Sequence, residues 1–283
     1  MKLAWATDIH LNFVSEAEAG RFCEAVARSG ADRLLITGDI AESHDLGPFL
    51  GFLADRLARP IDFVLGNHDF YGGRIADVRG AMAETTRTIP TLNWLPEAGV
   101  IDLGSGVALI GHDGWGDGRF GDYARSTIRL NDYRLIGDLA GLDHADRGQV
   151  LRRLGEEAAE HLGRLLPKAL ERFETVVVAT HVPPFREACV FKGRMANDEW
   201  MPHFSCAAVG KAIEPIMRRH PDRRLLVLCG HVHSAGIARI LPNLVVITGA
   251  AEYRRPEVRR VFHLPGDLDA LFRDGADAAI RPD

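Results

Sequence analysis

The chain has 283 residues, 46% of them hydrophobic and 26% charged, which excludes a disordered, collagen-like or coiled-coil protein and leaves ample length for a buried core. Its apolar runs are far too short to cross a membrane. The net charge of -5 offers no global field to nucleic acid or anionic lipid and argues against both as partners. In chain order, an apolar run over Lys2–Ala6 predicts the first strand. Ser15 with Glu18 then forms a capping-box start for a helix over residues 15–29. Strands at Arg33–Thr37 and residues 61–65 alternate with helices at 46–57 and 74–88. That order reads as a parallel βαβαβ unit of an α/β protein. Val107–Gly111 is the next strand. A helical stretch at 146–173 carries Pro167, where it is expected to kink or split. Residues 175–180, a helix at 207–220, and strands at Arg224–Cys229, 236–240 and Leu244–Thr248 complete the series. The last three strands are closely spaced, so this part of the sheet is expected to be mixed or antiparallel. Most of the runs are near-continuously apolar, as suits strands covered on both faces.

The residues just past each run are chemically pointed. The strand ends deliver Asp8-Ile9-His10, Gly38-Asp39, Gly66-Asn67-His68-Asp69, His181-Val182-Pro183-Pro184 and Gly230-His231-Val232-His233. In open α/β sheets ligands bind at the carboxyl ends of the strands, so these carboxylates, imidazoles and one carboxamide should converge. Each block alone is weak; five in order, each at a strand end, are a strong signal.

These blocks, read as DIH, GD, GNHD, HVPP and GHVH, resemble the signature of the calcineurin-like metallophosphoesterase superfamily over residues 1–250. The resemblance implies a metallo-dependent phosphatase-like sandwich of two β-sheets flanked by helices, each sheet mixed parallel and antiparallel. It also implies two divalent transition-metal ions, of manganese, iron or zinc. One would be held by Asp8, His10, Asp39 and His233, the other by Asp39, Asn67, His181 and His231, with Asp39 bridging. His68 would face substrate as acid or charge stabiliser, and Asp69 would fix a loop. The implied function is hydrolysis of P–O ester bonds in a small phosphorylated substrate by in-line attack of a metal-bridging hydroxide. The start also resembles cyclic nucleotide phosphodiesterases, through DIHLN and GDIAES, so a phosphodiesterase is the alternative. A non-catalytic metal-binding scaffold is the rival from another class, and retention of the whole set argues against it.

The physics is coherent without the family. Two cations bring four positive charges and two carboxylates return two, leaving a site suited to a phosphate anion. Two-metal sites activate water and clamp the attacking and leaving oxygens of an in-line displacement.

Two long connections, 111–145 and 181–206, have little periodicity, and loops of that length are often lids or binding loops. In the first, His112, Trp115, Arg119, Tyr123 and Arg125 are candidate substrate contacts or packing residues. The same holds for Arg186, Lys192, Arg194, Trp200 and His203 in the second. Gly116–Gly121 matches GxGxxG but opens no helix of a βαβ unit, so a dinucleotide site is rejected. The four cysteines form no CxxC pair and read as buried free thiols. The N-terminus turns polar too soon for a signal-peptide core, so the expected location is cytoplasmic; arginine-rich composition hints at a bacterial source. Residues 251–283 are expected to pack on or extend the same domain, with residues 249–253 at a sheet edge or lining the site and a short helix at 265–272. The oligomeric state is left open.

Overall fold

The computed structural model describes residues 1–273. The first third is β1 (Lys2–Ala6), α1 (Glu16–Arg28), β2 (Arg33–Thr37), α2 (Ser43–Leu57), β3 (Ile61–Val64), α3 (Ile75–Thr88) and β4 (Leu92–Trp94). Then come α4 (Leu95–Ala98), β5 (Ile101–Gly104), β6 (Val107–Gly111), α5 (Asp132–Leu135), α6 (His144–Arg172) and β7 (Thr175–Ala179). The remainder is β8 (Val190–Phe191), β9 (Arg194–Met195), α7 (Met201–Phe204), α8 (Ala207–Arg219), β10 (Arg224–Cys229), β11 (Gly236–Leu241), β12 (Leu244–Thr248), β13 (Arg260–His263) and α9 (Gly266–Arg273).

Two large sheets result. One has the order β13-β1-β2-β3-β4 and the other β11-β12-β10-β7-β6-β5. Strands β1 to β4 are parallel, with β13 antiparallel on β1. Strands β6, β7, β10 and β12 are parallel, with β5 and β11 antiparallel at the edges. This is the mixed two-sheet sandwich that the resemblance implied.

Alternation explains why the runs are apolar throughout. Leu3 and Trp5 of β1, Leu35 of β2, and Leu226 and Leu228 of β10 share the layer between the sheets. Their neighbours Ala4, Ala6, Leu34 and Ile36 meet α1, α2 and α3 on one outer face. Leu225 and Val227 meet α6 and α8 on the other. Each fully buried leucine contributes about 1.5–3 kcal/mol. At the head of α1 the Ser15 hydroxyl accepts from Glu18 N while the Glu18 carboxylate accepts from Ser15 N, completing the expected box.

Two features depart from expectation. Helix α6 runs unsplit through Pro167. Leu162, Leu166 and Leu170, all buried on the sheet, offset the roughly 3 kcal/mol that an interior proline costs. Strands β4, β5, β8, β9 and β13 were not expected, being short or interrupted by polar residues. Strand β13 adds residues 260–263 to the first sheet beside β1, so the segment after residue 250 joins the sandwich. Helix α9 occupies nearly the expected 265–272; the rest of the expected tail, 274–283, lies outside the described residues. Among the described residues no helix is long and apolar enough to cross a membrane. Cys23, Cys189, Cys206 and Cys229 are buried free thiols, as expected.

Candidate metal centre

Because β1, β2, β3, β7 and β10 all run parallel within their sheets, their carboxyl ends bring five loops to one end of the sandwich. The loops meet closely enough that glycine is required. A Cβ on Gly66 would lie 2.1 Å from Asp39 Oδ1, and one on Gly230 would lie 2.1 Å from Asp8 Oδ2. The glycines of the GD, GN and GH pairs are thus clearance for the neighbouring ligand loop. The backbone also turns against its preference here: Asp8, His10, Asp39, His231 and His233 all have positive φ, between 42° and 70°. Left-handed non-glycine residues are uncommon, and they gather where surrounding structure over-determines them.

The turns place the donor atoms of all seven expected ligands together. Asp8, His10, Asp39 and His233 offer atoms within 4.8 Å of one another. His233 Nε2 lies 3.2 Å from Asp8 Oδ1 and 3.4 Å from His10 Nε2. On the other side, Asn67 Oδ1 lies 3.1 Å from His181 Nε2 and 2.9 Å from His231 Nδ1, and those two ring nitrogens are 3.2 Å apart. Asp39 stands between the groups. Its Oδ1 is 3.4 Å from His181 Nε2 and its Oδ2 is 3.7 Å from His10 Nε2.

The surrounding hydrogen bonds decide which atoms face inward. His181 donates through Nδ1 to the Thr37 carbonyl at 2.9 Å, leaving the Nε2 lone pair for the centre. His231 donates through Nε2 to the His203 carbonyl at 3.1 Å, leaving Nδ1. Asn67 spends its amide protons on Asp132 Oδ1 at 2.9 Å and the Tyr71 hydroxyl at 3.3 Å, which fixes Oδ1 inward. Three acceptors therefore meet with no proton to share. Such an arrangement is repulsive unless a cation sits among them, and oxygen with imidazole nitrogen is a donor set for a transition metal. Separations of about 3.0–3.4 Å are those of adjacent ligands bonded at about 2.1 Å to one centre. The residues present therefore fit two cations that share Asp39.

Electrostatics agrees. Burial lowers the imidazolium of His231 to about 3, with His181 adding to the effect. Burial, and then His68, lowers that of His10. Burial raises the Asp39 carboxyl well above its ordinary range, and the charges of Asp8 and Asp69 raise it further. Burial opposes ionisation of Asp8 as well, but the hydrogen bond from His233 and nearby imidazoles hold its carboxyl below the usual range. Burial opposes a charge on His233, but its hydrogen bond to Asp8 and the charges of Asp8 and Asp39 raise its imidazolium. His10 and His231 are thus neutral rings, while Asp8 presents a negative charge to the centre. Asp69 is no donor to it. Its Oδ1 accepts from Ile40 N and Ala41 N, and its Oδ2 from Gly66 N, each at 2.8 Å, so it ties the β2 loop to the β3 loop.

His68 stands just outside the donor set. Its ring stacks on Tyr71 at 4.3 Å, and its Nε2 is 4.0 Å from Asp39 Oδ2. It faces a cleft of about 1080 Å³, whose floor includes Asp39, Asn67, His231 and His233. Residues 189–192, 194–197, 200 and 204 of the second long connection wall this cleft, together with Tyr253. Tyr253 packs on His10 at 4.6 Å and on His233 at 5.0 Å. Of the first connection only residues 130–132 reach the cleft.

Of the substrate contacts expected at His112, Trp115, Arg119 and His203, none lines this cleft; Trp115 and His203 line a small separate cavity beside Asn67 and His231. His112 is buried against His161 of α6, at 5.1 Å. Trp115 packs on Phe70 at 5.4 Å. Arg119 pairs with Asp117 and Glu156. The His203 ring is held by Ser126 and Tyr133, and only its carbonyl serves the centre. Conversely, Tyr71 and Asp132 escaped sequence reasoning. Asp132 opens the one-turn helix α5 inside an aperiodic connection, 65 residues from the asparagine it orients, and no local pattern marks it.

Among solved structures, phosphopantetheinyl hydrolase from Mycobacterium tuberculosis is similar, with TM-score 0.62 and 14% identity over 90% of each chain. A dimetal phosphatase from Danio rerio has TM-score 0.55 and 14% identity over 90% of this chain and 88% of that one. At these identities the likeness is one of fold. No curated protein sequence matches the chain. The sequence model of the calcineurin-like phosphoesterases matches residues 1–235, which carry every donor described above, and the chain belongs to that family.

Proposed function

We propose that this chain is a dinuclear metal-dependent phosphohydrolase acting on a small phosphorylated substrate. The observation that carries the reading is the proton-free meeting of Asn67 Oδ1, His181 Nε2 and His231 Nδ1 beside a shared Asp39. When bound, two divalent cations would neutralise phosphoryl charge and make water a nucleophile at neutral pH. Asp8, His10, Asp39 and His233 would hold one cation, and Asp39, Asn67, His181 and His231 the other. The chain's own contribution at the reacting phosphoryl group is His68. Burial, and then the charge of His181, lowers its imidazolium to about 3. The resting ring is therefore neutral and offers one N–H to a phosphoryl oxygen. A bound phosphate anion favours the protonated form and moves the ring toward an acid's role.

A phosphodiester is the second reading of the substrate, favoured by a cleft of about 1080 Å³ that leaves room for groups on both sides of a phosphorus. A non-catalytic scaffold has no need of His68 poised beside the donors. Elemental analysis of purified protein tests the centre: close to two transition-metal ions per chain support it, and no uptake even with added manganese refutes it. A chromogenic phosphate monoester and its bis-ester, compared with manganese present, separate phosphatase from phosphodiesterase.

A further inference from the structure

The phosphoryl chemistry occupies only the floor of the cleft, and the walls have a character of their own. Large exposed hydrophobic residues among those described are few. Phe191, Met195, Trp200 and Tyr253, each between 42% and 53% exposed, all line this cleft. Concentrated exposed apolar surface marks a binding site, whereas scattered residues need no explanation. Three of the four offer aromatic faces, and methionine adapts its shape to what it meets.

The same wall carries charge. Lys192 and Arg194 belong to the β8–β9 hairpin, both are exposed, and both line the cleft. Neither makes an ion pair among the described residues, whereas Arg119, Arg186 and Arg224 do. The Lys192 ammonium lies 5.2 Å from the centre of the Phe191 ring, so cation and aromatic face are adjacent. The acids that line the cleft are Asp39 and Asp132. The first belongs to the metal centre and the second is engaged by Asn67 and Tyr71. The hairpin cations are therefore left to a ligand.

We propose that the β8–β9 hairpin and Trp200 form a leaving-group subsite that selects a phosphoester whose leaving group is aromatic and carries a second anionic group. This inference rests on the phosphoesterase reading above. The floor would take the scissile phosphoryl group, the rings of Trp200 and Phe191 the aromatic body, and Lys192 with Arg194 the second anion.

Three esters test it: naphthyl phosphate, the same ester with a carboxylate on its distal ring, and methyl phosphate, each as the monoester and as its methyl diester. The wild-type chain with manganese is expected to have about tenfold higher kcat/KM for the carboxylated ester than for plain naphthyl phosphate, as one charge-assisted contact supplies. In the Lys192→Gln/Arg194→Gln double variant that ratio is expected to fall to about one. Trp200→Ala is expected to lower both naphthyl esters relative to methyl phosphate. Equal rates for the two naphthyl esters in the wild type, or a ratio that survives the double variant, overturn the subsite. If no ester is hydrolysed, the phosphoesterase reading falls instead, and calorimetric binding of carboxynaphthyl phosphate to chelator-treated protein decides the subsite. A Kd weakened about fivefold or more in the double variant supports it, and an unchanged Kd overturns it.

Discussion

Asn67 faces the centre through its oxygen because Asp132 holds its amide nitrogen, 2.9 Å from Asp132 Oδ1. The same carboxylate oxygen accepts from the Tyr71 hydroxyl at 2.6 Å, and the Tyr71 ring supports His68. Asp132 thus orients one donor and, through Tyr71, the residue beside substrate, while touching neither metal position. Asp132→Ala should weaken metal affinity about 10- to 100-fold, as loss of a partner behind a metal ligand does. Two buried donors are left without an acceptor, each costing about 1–3 kcal/mol. Competition with a chromogenic chelator measures the first effect and denaturant unfolding the second.

Two glycine substitutions should behave oppositely. Gly66→Ala drives a Cβ into Asp39 Oδ1 and into the backbone of the β2 loop. Metal content and activity should both be lost while the fold, read by circular dichroism, remains. Gly80 lies within α3, exposed, and a Cβ there would meet nothing within 4 Å. Gly80→Ala should stabilise the chain by about 1 kcal/mol, through helix propensity, and raise Tm by about 2 °C.

His68 and Asp39 can be separated by metal analysis. Asp39→Asn should abolish both metal retention and turnover, because its two oxygens face the two donor groups. His68→Ala should keep its metal and lose about 100-fold or more in kcat, the scale of a positioned acid or hydrogen-bond donor. The loss should be greatest for esters with poor leaving groups. Metal-depleted His68→Ala would overturn the role assigned to His68.

Metal binding should release protons. With its carboxyl pushed up by burial and by Asp8 and Asp69, Asp39 in the metal-free protein binds a proton to higher pH than an exposed aspartate. A cation must displace that proton, so apparent affinity should rise as pH rises and weaken as pH falls. Calorimetric titration in buffers of different ionisation enthalpy reads the number released. Heats independent of the buffer would contradict it.

Much of this was legible in the sequence because strand ends are legible. Apolar runs of five or so residues are bounded by glycine-plus-ligand blocks, and position alone puts those blocks at one end of a parallel sheet. The partition of strands between sheets was not legible, since β2 and β10 are equally apolar and nothing local says which neighbours they take. Strand β13 escaped because an edge strand flanked by arginines has no continuous apolar run. In the centre, groups supplied by the motifs were visible and those that orient them were not. Asp132 and the His203 carbonyl act through tertiary approach, the latter through a backbone atom that every residue has. The packing of His112 and Arg119 was not legible for a related reason: polar residues after a strand look alike until α6 is seen to meet them through His161 and Glu156.

The left-handed turns at Asp8, His10, Asp39, His231 and His233 have a further consequence. A non-glycine residue in that conformation costs up to about 1–2 kcal/mol, less for aspartate, whose side chain can hydrogen-bond locally. Five such residues together cost a sizeable fraction of the roughly 5–15 kcal/mol net stability of a domain. The loops hold their shape because a strand of one of the two packed sheets pins the start of every loop. Mutations deep in the sandwich that loosen those anchors should therefore erode the loops first. Such variants would keep their secondary structure while losing the capacity to bind cations, so a metal-affinity assay would report damage to the scaffold before any spectroscopic measure of folding did.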